Sequence, residues 1–408
     1  MLRQFSVPAG TSRQLVLASL LMSAGNGAFL TCSAIYFTRV AGLSPAQLGL
    51  GLTVAGAVGL FAGVPLGHLA DRRGPREVAA ALVALNGVAA AAYLFVREFW
   101  TFVLVAAVFV LAERGSRAAI QALTSGLLGG DELVRIRAVV RSVNNVGVAV
   151  GTLVAGVALQ IGTAPALSSV LVLDALSFLG SAAVLARLGR VAPTPPAAAG
   201  EPKHSVLRDG PFALFTALSG VLALHTVLLE IAVPLWIVTH TEAPAVMVTV
   251  LFLVNTISVV LFQVRVATRL NTLDRSVKGF RLAGFALLGA CGLFSASSAG
   301  SAVFAAIALV AAGLVHVCGE MLAAAAAWTT SYGLAPADRQ GQYQGFFFTG
   351  YAASMMVAPA LTLLLVQWGT PGWWVLGGLF VSTALAMGPA VAWAQRVAAR
   401  RQVSPAPV

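Results

Sequence analysis

The sequence predicts an all-α integral membrane protein, with twelve transmembrane helices in two six-helix bundles. Three observations predict it. Hydrophobic residues make up 59% of the 408 and charged residues only 10%, with a mean hydropathy of +0.90, whereas a soluble domain is usually about a quarter charged. Apolar stretches of about twenty residues, the length a helix needs to cross a bilayer, recur along the whole chain. A Pro-, Ala- and charge-rich stretch, RLGRVAPTPPAAAGEPKHSVLRDGP, divides those stretches six and six.

The expected spans are 14–39, 46–67, 78–96, 99–126, 138–160, 165–187, 211–239, 245–268, 279–298, 301–330, 342–367 and 371–395. The first follows Arg3 and Arg13 but is too long for the core of a signal peptide, and no small-residue cleavage site follows it. Connections such as AGLSPA, RE, GTAP, SSAGS and WGTPG are very short, and short connections make neighbouring helices antiparallel. The chain divides into an N-terminal bundle (1–186), a linker (187–210), a C-terminal bundle (211–396) and a tail (397–408). Six spans, a long central loop and six more is the layout of a parallel-repeat transporter.

Charge sets orientation. With the N-terminus inside, the outer loops hold only Arg39 and Arg97, Arg114 and Arg117 fall within a span, and every other Lys and Arg is cytoplasmic. Both termini and the linker are therefore expected in the cytoplasm of a multi-pass plasma-membrane protein. The net charge of +11 faces anionic headgroups, so the lipid bilayer is the expected partner of this charge and nucleic acid is not. Cys32, Cys291 and Cys318 all fall within spans and have neither disulfide nor metal spacing. No metal or cofactor is expected, and the chain is expected to be a monomer.

One loop stands out. Between the second and third spans, GVPLGHLADRRGPREV packs five charged residues between Asp71 and Glu77. Gly67 lets the second helix end close against a neighbour, and Gly74 permits a tight turn. Asp71 offers a carboxylate to a helix N-terminus, where free N–H groups and the dipole favour negative charge. Gly67, Leu69, Asp71, Arg72 and Gly74 match the G-x-L-A-D-R-x-G-R-[RK] signature in register, and Pro75 displaces Arg76 by one. With the twelve-span layout, this resembles the major facilitator superfamily over essentially the whole chain. The resemblance implies that Asp71 meets the start of the eleventh helix near Gln340 to Gln342. It also implies that Arg72 and Arg76 pair with acids on neighbouring cytoplasmic ends. Such a cluster acts as a latch that opens when the inner side opens; a plain topogenic loop is the alternative. The basic loop after the eighth span lacks the Gly–Asp core and is assigned topology alone.

Charges within spans are functional candidates because the bilayer interior makes them costly. Glu113, Arg114 and Arg117 fall on the fourth span, His225 and Glu230 on the seventh, and His316 and Glu320 on the tenth. The first, fourth, seventh and tenth helices are those that the resemblance implies line a central cavity, and the first adds Asn26 between Gly25 and Gly27. Asn26, Arg114, Arg117, His225 and His316 are the substrate-cavity candidates. Glu113 and Arg117, like His316 and Glu320, are spaced to pair along one helix face. A permanent ion pair in the one case, and a satisfied buried histidine in the other, are the competing structural readings. Glu230 has no basic residue one turn away and precedes Pro234, which frees a carbonyl and bends the helix. A lone buried carboxyl is able to take up and release a proton. Glu230 is the first proton-coupling candidate, followed by Glu113 and Glu320. Asp174, on the sixth span, is left without a role; Asn144 and Asn145 are its expected neighbours.

Arg117 is partly similar to an arginine of the family's antiporters, without the glutamine–glycine pair after it. Gly147, Gly151 and Gly156 resemble the glycine-rich fifth helix of those antiporters without its Gly-Pro pair, and small residues at four-residue spacing serve close packing. The sequence has no phosphate loop of the G-x-x-x-x-G-K-[ST] type. The expectation is a secondary active transporter, not an enzyme. It moves a small, apolar molecule by alternating access, as a proton-coupled exporter of the multidrug antiporter type. A proton-coupled importer or facilitator is the alternative; a transport-dead sensor and a membrane-embedded enzyme are weaker ones. Phe29, Tyr36, Trp236, Trp328 and Tyr351 are aromatic residues able to stack on such a compound, with packing as their competing role.

Overall fold

In a computed structural model of the chain, residues 10–193 and 206–403 are described. Half of the linker, the extreme N-terminus and the end of the tail lie outside them. Helices account for nearly all of the described chain: α1 (Thr11–Arg39), α2 (Pro45–Arg73), α3 (Pro75–Ala92), α4 (Phe99–Leu127), α5 (Gly130–Ile161), α6 (Ala164–Ala186), α7 (Gly210–Val227), α8 (Val233–His240), α9 (Val246–Arg269), α10 (Leu273–Ala296), α11 (Ala302–Leu334), α12 (Gln340–Trp368) and α13 (Thr370–Val403). A π-helical turn, Leu228–Ala232, joins α7 to α8, so that Gly210–His240 is one continuous helical run. Eleven helical segments among the described residues are long and apolar enough to cross a membrane.

Local chemistry starts and stops these helices. Ser44 and Gln47 form a reciprocal capping box at α2, with Pro45 in its first turn. Thr163, Asp209 and Thr272 cap α6, α7 and α10 through their side chains. Gly162, at φ 70°, closes α5 in the left-handed conformation that glycine adopts without strain.

Two departures from the expected boundaries matter. The charged stretch after the second span is not a loop: α2 runs on through Asp71 and Arg72 to Arg73, Gly74 alone makes the turn at φ 99°, and Pro75 opens α3. Helical residues carry their own backbone hydrogen bonds, so the helix continues past the apolar stretch. Pro75 suits a first helical position, where its missing N–H costs nothing. At Pro234 the expected bend is a π turn. Proline has no N–H for the carbonyl four residues earlier, that of Glu230, and a one-residue register shift offers carbonyls other donors.

The chain divides into two compact units: Met1–Lys203 with Ala335–Phe348, and His204–Leu334 with Thr349–Val408. In the first, α1 packs on α5 and α6, α2 on α4, and α3 on α4 and α6. In the second, α7 packs on α13, α9 on α11, and α10 on α11 and α13. These are corresponding pairings, so each unit repeats one packing scheme. Small residues set the closest approaches. A side chain at Gly147 or Gly151 of α5 would strike Ser23, Ala24 or Ala28 of α1, whereas Gly156 faces open space. In the second unit Gly220 of α7 meets Gly350 of α12 in the same manner, and the Ser354 hydroxyl donates to the Gly220 carbonyl there.

Candidate functional site

Within the first unit, α2 crosses the start of α12 through glycines on both sides. A Cβ on Gly67 would strike the Gly341 carbonyl, and one on Gly345 would strike the Gly63 carbonyl. The GVPLG of α2 and the GQYQG of α12 thus face each other at four-residue spacing, and the backbones come into direct contact. One turn beyond Gly67, Asp71 accepts hydrogen bonds from the backbone N–H groups of Gly341 at 2.7 Å and Gln342 at 2.8 Å. These are first-turn donors with no partner inside their own helix.

The basic residues behave differently from expectation. Arg76 pairs with Glu77 beside it at 2.8 Å and donates to the Leu188 carbonyl at 3.1 Å, tying the start of α3 to the end of α6. Arg190 joins Glu77 at 3.4 Å. Arg72 is exposed and makes no ion pair among the described residues. The turn to Pro75 directs the second arginine sideways along its own bundle.

On α4, Arg117 donates to Glu113 at 2.5 Å, and both side chains are partly buried. Arg114 lies alongside Gly59 of α2. Asn26 on α1 is half-buried.

In the second unit the histidines and acids take partners other than each other. His316 on α11 is buried, and its Nε2 lies 3.0 Å from the His225 carbonyl of α7. The two rings meet edge to face at 5.7 Å. The His316–Glu320 pair expected from spacing does not form a hydrogen bond. Glu320 instead accepts from the Asn255 amide of α9 at 2.8 Å. Glu230, expected as a lone buried carboxyl, is instead exposed: it sits in the π turn, where the helix surface turns outward, and lies within electrostatic reach of Glu320. Trp236, one turn further, is fully buried and donates to the Phe294 carbonyl at 3.0 Å and to Ser297 at 3.2 Å, which makes it a packing residue. Phe29 and Tyr36 are buried in the core of the first unit as well.

Asp174 does not meet Asn144 or Asn145. It faces Gly25 of α1, because α6 lies against α1 and α3 far more extensively than against α5.

A family model described as the Major Facilitator Superfamily matches residues 15–359. The chain belongs to the major facilitator superfamily. It is therefore a multi-pass membrane transporter of that superfamily. Solved structures of similar fold include a bacterial homologue of the iron transporter ferroportin in an outward-facing state, with TM-score 0.77 and 14% identity over 94% of this chain and 99% of that one. The human organic anion transporter MFSD10 is also similar, with TM-score 0.64 and 14% identity over 92% and 98%. The proton:xylose symporter XylE matches with TM-score 0.67 and 12% identity over 93% and 95%. No curated protein sequence matches the chain.

Superfamily membership accounts for the Gly–Asp signature beside α12. Sequence reasoning missed three features of the site. The glycine pair Gly341 and Gly345 was visible as a small-x-x-x-small pattern, but its partner was not. The π turn has a local cause in Pro234. The Asn255–Glu320 contact joins residues far apart in the chain and left no local signal.

Proposed function

We propose that the chain is a proton-coupled secondary transporter that exports a small, apolar molecule across the plasma membrane by alternating access. The observation that carries this reading is the acid cluster of the second unit. Glu230 lies in a π turn, and such turns concentrate at functional sites. Glu320, with Asn255 bonded to it, is the neighbouring carboxyl. Two carboxyls within electrostatic reach of each other disfavour ionising both at once, and an exposed acid within a span serves a water-filled path better than lipid. Glu230 is the proton carrier in this reading, Glu320 its electrostatic partner, and Glu113 a position held by Arg117. His225 and His316, in contact with each other, are assigned to the substrate path with Asn26, Arg114 and Arg117. Asp71 is the latch: its two bonds to the start of α12 favour one conformational state and break in the other.

A thermal-shift screen of purified protein against small apolar and amphipathic compounds finds a ligand without a prior guess, because binding to the folded state stabilises it. Flux of the most stabilising compound is then followed in proteoliposomes with and without a pH gradient. Accumulation that depends on the gradient, with an outward-directed sense, is expected. Equal accumulation without a gradient contradicts the coupling, and gradient-driven uptake in the inward sense favours the importer alternative.

A further inference from the structure

Asp174 occupies the middle of α6 in the first unit, and none of its surface is exposed. Neither carboxyl oxygen has a hydrogen-bond partner among the described residues. The surroundings explain why. On the α1 side stands Gly25, where an added Cβ would lie 2.6 Å from Asp174 Oδ1. The Ser177 hydroxyl, one turn along, donates to the Asp174 backbone carbonyl at 2.8 Å. On α3 the Asn86 amide donates to the Phe109 carbonyl of α4 at 3.0 Å. The Ser177 hydroxyl and the Asn86 amide N–H are thus committed to other acceptors.

Charge gives the carboxyl no help either. The charged group that acts on Asp174 is Glu113 of α4, another acid, and Arg117 is bonded to that acid at 2.5 Å. Tyr93, in the short turn after α3, is buried within reach of both acids. Its ring packs on Phe109 at 5.8 Å, and Phe109 packs on Phe178 of α6 at 5.8 Å. Between its terminal arginines, α1 carries only Cys32 and Tyr36 as ionisable groups. The charges of α3 are Arg76 and Glu77 at its start, and those of α5 lie between Asp131 and Arg141, also at its start.

A carboxylate without donors or a cation, in an aromatic and aliphatic setting and beside a second acid, is far costlier than the same group as a neutral acid. We propose that Asp174 is a proton-binding site of the first unit, carrying a proton in the arrangement described here. The proton leaves to water when the α1–α6 crossing at Gly25 loosens enough for water to enter, and the carboxylate is then hydrated. This site is separate from Glu230, which belongs to the other unit, and it stands whether or not Glu230 couples transport.

The test is infrared spectroscopy of purified protein in lipid at neutral pH, with every aspartate labelled by 13C at its side-chain carboxyl. The chain has six aspartates, Asp71, Asp131, Asp174, Asp209, Asp274 and Asp338. Labelled wild type is expected to show a protonated-carboxyl band that moves with the isotope, and Asp174→Asn is expected to lose it while remaining folded. In Asp174→Glu, with only aspartate labelled, the same band should move to the unlabelled position. A labelled wild type whose aspartates are all ionised overturns the proposal without any variant. So does a band that persists unchanged in Asp174→Asn or Asp174→Glu.

Discussion

Replacing Asp71 by asparagine removes the charge while nearly keeping the shape. Asp71 accepts from Gly341 and Gln342 at 2.7 and 2.8 Å, one oxygen to each N–H. Asparagine has a single acceptor oxygen, so its amide NH2 faces the second backbone N–H and that bond is lost. A hydrogen bond to a charged group contributes about 1.5–3 kcal/mol, and the charge at a helix N-terminus adds about 0.3–2 kcal/mol. The sum for Asp71→Asn is about 2–5 kcal/mol on this contact. At about 1.36 kcal/mol for each factor of ten, the contact opens roughly 30-fold to nearly 5,000-fold more often. Hydrogen exchange reads this directly: the amides at the start of α12 should exchange faster by that factor, while those of α6 should not change. If exchange at Gly341 and Gln342 stays within about threefold of wild type, these bonds do not hold α12, and the latch reading fails.

Four further outcomes are expected. Gly345→Leu should separate α2 from α12, because the side chain would meet the Gly63 carbonyl; backbone overlap is not relieved by a rotamer change, so the same amides should lose protection even with Asp71 intact. Glu113→Gln removes the charge partner of a half-buried Arg117, and thermal unfolding should show a loss of about 1–3 kcal/mol, between the exposed and buried limits. Trp236→Phe deletes two buried hydrogen bonds and should cost about 1–3 kcal/mol in chemical unfolding, with compound binding retained; loss of binding would instead make Trp236 part of the site. In a cysteine-free background, Thr163→Cys should react with an impermeant thiol reagent in intact cells and Asp131→Cys should not, and the reverse pattern inverts the topology.

Much of the fold was legible because it is written locally. Apolar length and the Pro- and Ala-rich division mark the spans. The Gly67–Asp71 signature pointed to a helix N-terminus, and the family resemblance it carries pointed to the region of Gln340–Gln342, where Asp71 has two bonds. Hydropathy ends a span where charge begins, although the backbone of α2 stays helical through Arg73, so the charged helix end was read as a loop. Side-chain partners were the least legible. Spacing of four residues places His316 and Glu320 on one face, yet Asn255 and the His225 carbonyl come from other helices and compete for them. Asp174 faces Gly25 because of how α6 crosses α1, and no pattern within α6 encodes that crossing.

Proton movement that accompanies transport is the most direct measurement of coupling. Proteoliposomes loaded with a pH-sensitive dye, given the most stabilising compound of the thermal-shift screen and no imposed gradient, should show a lumenal pH change in step with compound flux. Glu230→Gln should retain compound exchange while the pH change disappears. Undiminished pH change in Glu230→Gln would remove Glu230 from the proton path, and compound flux in wild type with no pH change at all would contradict proton coupling itself.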